Sequence, residues 1–218
     1  EASLRRRYLL GKSLRGRNYD QAIILPNSLK SALVPFWARI PQRTPIIGEM
    51  RYGLVNDARK LDRDALPKTV MRFTSLALPA GQPLDIEIPM PHLDTDEQSQ
   101  SSSLAALNIT ITAAPVLVLC PGAEYGPAKQ WPSTHFAELA NSYLRLGWQV
   151  WLLGSVKDNA MCSEINLATI SRCENLAGKT ELGQVIYLMS CAAALVSNDS
   201  GLMHIAAALD KPLVAIYG

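Results

Sequence analysis

The sequence predicts an α/β protein of two Rossmann-like lobes, both incomplete or nearly so, and the second lobe carries the clearer signal. From Pro115 onward, apolar segments without polar alternation are separated by helical segments, the pattern that a parallel sheet covered on both faces requires. Residues 1–79 repeat the strand–helix alternation more loosely. Between them, prolines at 79, 83, 89 and 91 and the polar run Asp94 to Ser103 interrupt the pattern and predict an inter-lobe connection over 80–114 with no regular packed element. Such a stretch is too long for a tight loop within one domain.

The first lobe opens on a helical tail, Ala2 to Arg15, with Leu4, Tyr8 and Leu9 on one face. Gly16 to Asp20 turns the chain into a short strand, Gln21 to Leu25. Pro26-Asn27-Ser28 stops that strand and offers a cap for a helix over Leu29 to Trp37. Arg43 to Ile47 is a second strand closed by Gly48, and Pro67 to Leu78 is a helix with proline near its first turn. A strand over Leu84 to Ile88 is the one regular piece the connection offers.

In the second lobe Val116 to Cys120 is a continuous apolar strand, followed by a Gly/Pro-rich loop and a helix over Pro132 to Leu146. Trp148 to Leu153 is a strand, Val156 to Ile170 a helix, and Cys173 to Leu176 a short strand. A helix over Glu181 to Ser190, a strand over Ala193 to Ser197, a helix over Ser200 to Leu209 and a strand over Leu213 to Tyr217 complete the lobe. Ligands of doubly wound lobes sit at the C-terminal ends of their strands, so the loops after residues 120 and 197 are where chemistry is expected. The last strand stops at Tyr217-Gly218, the first lobe shows no obvious opening strand, and the chain does not begin with Met; these features predict a piece of a longer protein.

Composition narrows the class. At 48% hydrophobic and 18% charged residues the chain is an ordinary globular protein, neither disordered nor collagen-like. No apolar run reaches the roughly 18–20 residues of a membrane span, and no charged-then-apolar leader opens the chain. Cys120, Cys162, Cys173 and Cys191 form no Cys-x-x-Cys pair and sit among apolar neighbours, which predicts reduced, largely buried thiols of a cytosolic protein. The net charge of +2 hides an asymmetry: residues 1–78 carry 15 Lys+Arg against 6 Asp+Glu, and the remainder carries 6 against 13. A basic first lobe suits an anionic partner, although a plain solvated basic face explains the same numbers.

Two segments could carry chemistry. In Asn198-Asp199-Ser200-Gly201-Leu202-Met203-His204 a strand runs directly into a helix, so the first-turn amides lack intrahelical acceptors and the helix dipole adds positive potential. Gly201 lets a bulky anion approach the backbone, and Ser200 and His204, four apart, share one face. A phosphate-bearing ligand fits; a simple cap by Asp199 is the competing reading. The second segment, Cys120-Pro121-Gly122-Ala123-Glu124-Tyr125-Gly126-Pro127-Ala128-Lys129-Gln130-Trp131-Pro132, lies at the same sheet edge. There Lys129 can reach a phosphate as a point charge, with Trp131 packed as an anchor. The competing reading is an ordinary loop with a solvated lysine. Gly178-Lys179-Thr180 fails as a P-loop, because Cys173 stands where the first glycine belongs. No Gly-x-Gly-x-x-Gly follows a strand, the three histidines (His92, His135, His204) lack metal spacing, and no Gly-x-Ser-x-Gly elbow is present.

Taken together, these segments resemble the bacterial ADP-heptose:lipopolysaccharide heptosyltransferases of glycosyltransferase family 9, and within them the heptosyltransferase II subtype. The resemblance is carried by residues 120–132, Asn175-Leu-Ala-Gly178, residues 198–204 and Lys211 to Gly218. In the first lobe, Leu25 to Phe36 and Gly48 to Asp57 look like the subtype's own signature. The runner-up subtype, heptosyltransferase I, shares the donor lobe but differs around residues 25–57. A non-catalytic nucleotide-binding remnant is an alternative of another class, and an NAD-dependent enzyme is poorly supported.

The resemblance implies a GT-B glycosyltransferase that moves L-glycero-D-manno-heptose from ADP-heptose to the heptose of the lipopolysaccharide inner core. It implies inverting transfer with no metal and no cofactor, and no nucleic-acid partner. A cytoplasmic location follows, with peripheral contact at the inner face of the inner membrane. Lys129 is then expected on the diphosphate beside the turn of Gly122, Ala123 and Glu124. Asp199 is expected on heptose hydroxyls, Ser200 and Gly201 on the phosphates, and His204 in support. Asn27, Lys30, Arg43 and Arg51 would face the acceptor, heptosylated Kdo-lipid A, with its carboxylates and phosphates. The family's general base lies in a loop after the very first strand, which falls upstream of Glu1; Asp20, Asp57, Asp62 and Asp64 do not occupy that loop. Residues 1–218 alone are therefore expected to be inactive while keeping the donor lobe.

Overall fold

The computed structural model describes residues 3–123 and 129–217. It divides into two compact units, Glu1–Pro89 and Met90–Gly218.

In the first unit, α1 (Leu4–Leu14) is capped by Ser3, whose side chain accepts from the Arg6 amide. Two strands, β1 (Gln21–Ile24) and β2 (Gln42–Pro45), pair in parallel, joined by α2 (Leu29–Trp37). Helix α1 crosses α2 at Gly11, where a Cβ would lie 2.8 Å from both Trp37 Cβ and the Val34 carbonyl oxygen. The absence of a side chain there is what allows the approach. Tyr8 packs edge-on against Trp37, with centroids 5.4 Å apart. Helix α3 (Thr69–Thr74) runs into a 3₁₀ turn over Ser75–Ala77. Leu84 to Ile88 forms no strand, contrary to the sequence expectation: with prolines at 83 and 89 its backbone cannot extend a ladder.

A second correction concerns the segment expected to hold no regular packed element. Glu97–Ala106 is a helix, α4, capped by Asp96, whose carboxylate accepts from the Ser99 amide at 2.7 Å. Leu104, Leu107 and Ile109, with Leu93 ahead of the helix, pack on the core of the second unit. Gln100 donates to Ser190 Oγ at 2.6 Å. The serine-rich composition disfavours a helix in isolation, but a cap and one apolar edge suffice once a neighbour buries it.

The second unit is built on a five-stranded parallel sheet in the order β5-β4-β3-β6-β7. Its strands are β3 (Val116–Cys120), β4 (Gln149–Leu152), β5 (Glu174–Asn175), β6 (Ala194–Asn198) and β7 (Leu213–Ile216). Four helices connect them: α5 (Ser133–Arg145), α6 (Asn159–Ala168), α7 (Leu182–Ser190) and α8 (Gly201–Ala208). Every residue of β3 is buried. Val116, Val118 and Cys120 face one cluster with Leu188, Met189 and Ala206, while Leu117 and Leu119 face the other with Phe136, Ala140 and Ile165. Helices on both faces explain the missing polar alternation. Cys120, Cys162, Cys173 and Cys191 are free thiols. Burial pushes the Cys162 thiol up to about 12 and raises that of Cys120 further in the same direction.

The strand order reverses between β3 and β6. Such a switch point opens a crevice beyond the carboxyl ends of the two strands. The loop after β3 and the turn after β6 both leave from that place.

Candidate functional site

The two segments singled out in the sequence meet at the switch point. Lys129 Nζ lies 2.6 Å from Asp199 Oδ2, with the two side chains 38% and 29% exposed. The pair is thus accessible to a ligand. The competing reading of Asp199 as a simple cap is not realised: Ser200 is the N-cap of α8, no side chain caps the helix, and the Asp199 carboxylate turns to Lys129. The Asp199 backbone is held by its amide, which donates to the Ile216 carbonyl at 3.0 Å. Ser200 Oγ lies 3.1 Å from Ser197 Oγ. Gly201 and His204 are exposed, Gly201 with open space where a Cβ would stand. The first-turn amides of α8 therefore start beside a lysine–carboxylate pair, an arrangement suited to an anion that carries hydroxyls.

Between the two segments stands Asn198, fully buried at the end of β6. Its Nδ2 donates to the Pro121 carbonyl at 2.7 Å, and its Oδ1 accepts from the Trp131 amide at 3.2 Å. Trp131 packs edge-on against Phe136 at 5.0 Å and stacks on His135 at 5.4 Å, the anchoring expected of it.

Gly122 and Ala123 are half-buried at the start of the loop, while Glu124 lies outside the described residues. A Cβ on Gly122 would stand 2.5 Å from Asp158 Cγ, so glycine there makes room for a carboxylate. Asp158 Oδ2 in turn accepts from the Ser155 amide and from Ser155 Oγ, both at 2.7 Å. Sequence reasoning missed Asp158 and the role of Asn198. A Ser-x-x-Asp box directly after an apolar strand is a readable signal for the first; no local signal marks the second. Gly178 follows β5 at the same sheet edge with φ 73°. Two residues on, Thr180 Oγ1 is buried with no hydrogen-bond partner among the described residues.

In the first unit, the segments 25–36 and 48–57 are brought together, but two of the four residues expected to face an acceptor are occupied within the fold. Arg51 is 3% exposed and donates to the carbonyls of Ile46 at 2.6 Å and Pro26 at 3.1 Å. Burial lowers its pKa, with Glu49 opposing. Arg43 donates to the carbonyls of Leu54 at 2.7 Å and Ile40 at 2.6 Å and lies 5.8 Å over the Phe36 ring. Loop carbonyls without ladder partners need donors, and a guanidinium satisfies several at once. These two arginines are fasteners. Asn27 and Lys30 are exposed, and Asn27 Oδ1 also accepts from Arg51 Nη2 at 3.4 Å. The conspicuous Asp57 accepts from Arg59, Gln42 and Thr44, and the Arg59 bonds chiefly hold its carboxyl down to about 2.

Among the described residues no cluster of three His, Cys, Asp or Glu could hold a metal ion. None of their helices is long and apolar enough to cross a membrane.

Comparison with known proteins places this geometry in a family. Lipopolysaccharide heptosyltransferase 2 of Salmonella typhimurium is 50% identical over 96% of this chain, which spans 62% of that protein. Its Escherichia coli counterpart is 48% identical over the same shares. The solved structure of E. coli ADP-heptose lps heptosyltransferase II superposes with a TM-score of 0.87, covering 97% of this chain and 66% of that one. The chain therefore spans under two thirds of the relatives' length. Two α/β units with parallel sheets match a GT-B neighbour. Since residues 7–218 also match the model for glycosyltransferase family 9 (heptosyltransferase), the chain belongs to that family.

Proposed function

We propose that this chain forms the donor lobe and part of the acceptor lobe of a type 2 heptosyltransferase. The enzyme moves heptose from ADP-heptose to the heptose of a lipopolysaccharide inner core. The observation that carries the reading is the Lys129–Asp199 pair, 2.6 Å apart at the switch point beside the start of α8. Without a ligand each charge satisfies the other. An arriving diphosphate, with two negative phosphoryl groups, draws Lys129 to itself as a charge-assisted partner. Asp199 is thereby released, and an ionised carboxylate, an acceptor only, suits the hydroxyls of a sugar. The amides of Ser200 and Gly201 add fixed donors for the phosphates, and His204 lies one turn along the same helix.

In the transfer step the bond from the anomeric carbon to the diphosphate breaks, and the departing ADP carries the charge. Lys129 and the α8 amides stabilise that charge where it develops, so the site needs no metal for this task. The acceptor hydroxyl attacks from the opposite face, with inversion, and its proton passes to a general base that the donor-site residues named above do not supply. Of the four residues expected to face the acceptor, Asn27 and Lys30 are the exposed ones and remain candidates for contact with an anionic acceptor, heptosylated Kdo-lipid A, at the cytoplasmic face of the inner membrane. The names of the Salmonella and E. coli relatives favour type 2 over type 1.

Calorimetric titration of the chain with ADP-heptose, ADP and NAD tests the reading. ADP-heptose and ADP are expected to bind, ADP-heptose the more tightly, and NAD is expected to bind far more weakly. Binding of NAD alone, or of none of the three, would overturn it.

A further inference from the structure

We infer that Asn198 is a positioning residue of the donor site: a buried clasp on Pro121 and Trp131 that places Lys129 before any ligand arrives. The inference deepens the donor-site reading above and rests on it. A primary amide that is 0% exposed costs stability unless its polar atoms are paired. Asn198 pairs them with the two ends of one loop, Nδ2 to the Pro121 carbonyl and Oδ1 from the Trp131 amide. The two partners also fix its orientation, because a flipped amide would set donor against donor and acceptor against acceptor.

The same side chain thereby controls both members of the ion pair. Lys129 lies two residues before the clasped Trp131, and Asp199 is the residue after Asn198. Residues 121 and 131 are held by one side chain, so Lys129 stands beside Asp199 before a ligand arrives and less ordering is left to accompany binding. A smaller or apolar residue at 198 frees both loop ends and leaves a buried carbonyl and amide unpaired, while the core of β6 is untouched.

Two substitutions and one control test the clasp. Asn198→Ala removes both bonds. Asn198→Asp keeps the size and the acceptor for the Trp131 amide, but sets an oxygen against the Pro121 carbonyl. Val196→Ala, in the same strand and in the core cluster against which Trp131 also packs, lowers stability while leaving both Asn198 bonds in place. The first readout is native-state trypsin cleavage of the Lys129–Gln130 bond, which reports local opening. The second is ADP affinity by calorimetry.

Asn198→Ala is expected to raise the cleavage rate and the ADP dissociation constant each at least tenfold. Asn198→Asp should give an intermediate cleavage rate; its added charge confounds nucleotide binding, so cleavage alone is read. Val196→Ala should lower the thermal midpoint and change neither quantity. If Asn198→Ala moves cleavage and affinity no more than Val196→Ala does, the clasp is overturned. If the unsubstituted chain binds no ADP, the donor-site reading fails, and cleavage still decides the clasp.

Discussion

Replacing Gly122 by alanine isolates one close contact at the edge of the site. The added Cβ would meet Asp158 Cγ and Oδ1 at 2.5 Å and Oδ2 at 2.7 Å. All three carboxylate atoms crowd the new methyl, so a small rotation of the carboxylate does not clear it. The side chain must swing away and release both bonds from Ser155. Two partly exposed hydrogen bonds are worth about 2 kcal/mol together. Gly122 is not in the left-handed region, so alanine also gains about 0.4–1 kcal/mol from the less flexible unfolded chain. The net loss is about 1–2 kcal/mol, a fall in thermal midpoint of roughly 3–8 °C for a unit of this size. In an Asp158→Ala background the clash is gone and the same substitution should turn neutral or stabilising. Thermal and urea denaturation of the four proteins of the cycle measure the reversal. Effects that add to within about 0.5 kcal/mol across the two backgrounds would refute the contact.

Three further perturbations separate roles within the chain. Lys129→Ala should weaken ADP binding by about 1.5–3 kcal/mol, roughly 10–150-fold, if the lysine bonds a phosphate. Its cost to stability should stay under about 1 kcal/mol because the ion pair is partly exposed; unchanged ADP affinity in calorimetry would return Lys129 to a solvated loop. Arg51→Met should destabilise the protein by about 2–3 kcal/mol in urea denaturation, because the Pro26 and Ile46 carbonyls lose their buried donor. A variant as stable as the parent would leave Arg51 available for a ligand. Asp57, whose carboxyl is held at about 2 chiefly by Arg59, stabilises the fold above the ordinary carboxylate range. That contribution is lost as pH falls from about 4 through 2. The urea midpoint should therefore drop more steeply over that window in the parent than in Asp57→Asn, and equal slopes would show that the depressed pKa does not act on folding.

The sequence by itself determined the elements whose signal is local. An unbroken apolar run such as Val116 to Cys120 can be satisfied only between two covered faces, so a parallel sheet is legible in the run itself. The candidate turns at the sheet edge are legible for the same reason: glycines, a lysine and a strand running straight into a helix declare themselves within a dozen residues. The pairing of a charged residue within the fold is not legible in this way. Arg51 and Arg43 look like acceptor contacts in a basic lobe, yet the loops around them present carbonyls that need donors, and that need arises only when 25–36 and 48–57 fold together. Helix α4 is hidden for a related reason, since its polar composition carries no helical period and its stability comes from the neighbour that buries Leu104 and Leu107.

The site itself was decided by tertiary structure. Lys129 and Asp199 are 70 residues apart, and Asn198 reaches partners 67 and 77 residues away. They meet because the chain places β6 beside β3 and not beside β5, an outcome of strand order. Local propensity acts over a few residues, whereas strand order is set by how whole faces of helices and strands bury one another. Lys129 and Asp199 are therefore legible in the sequence as candidates, whereas the part of Asn198 and the pairing of all three are legible only in the fold.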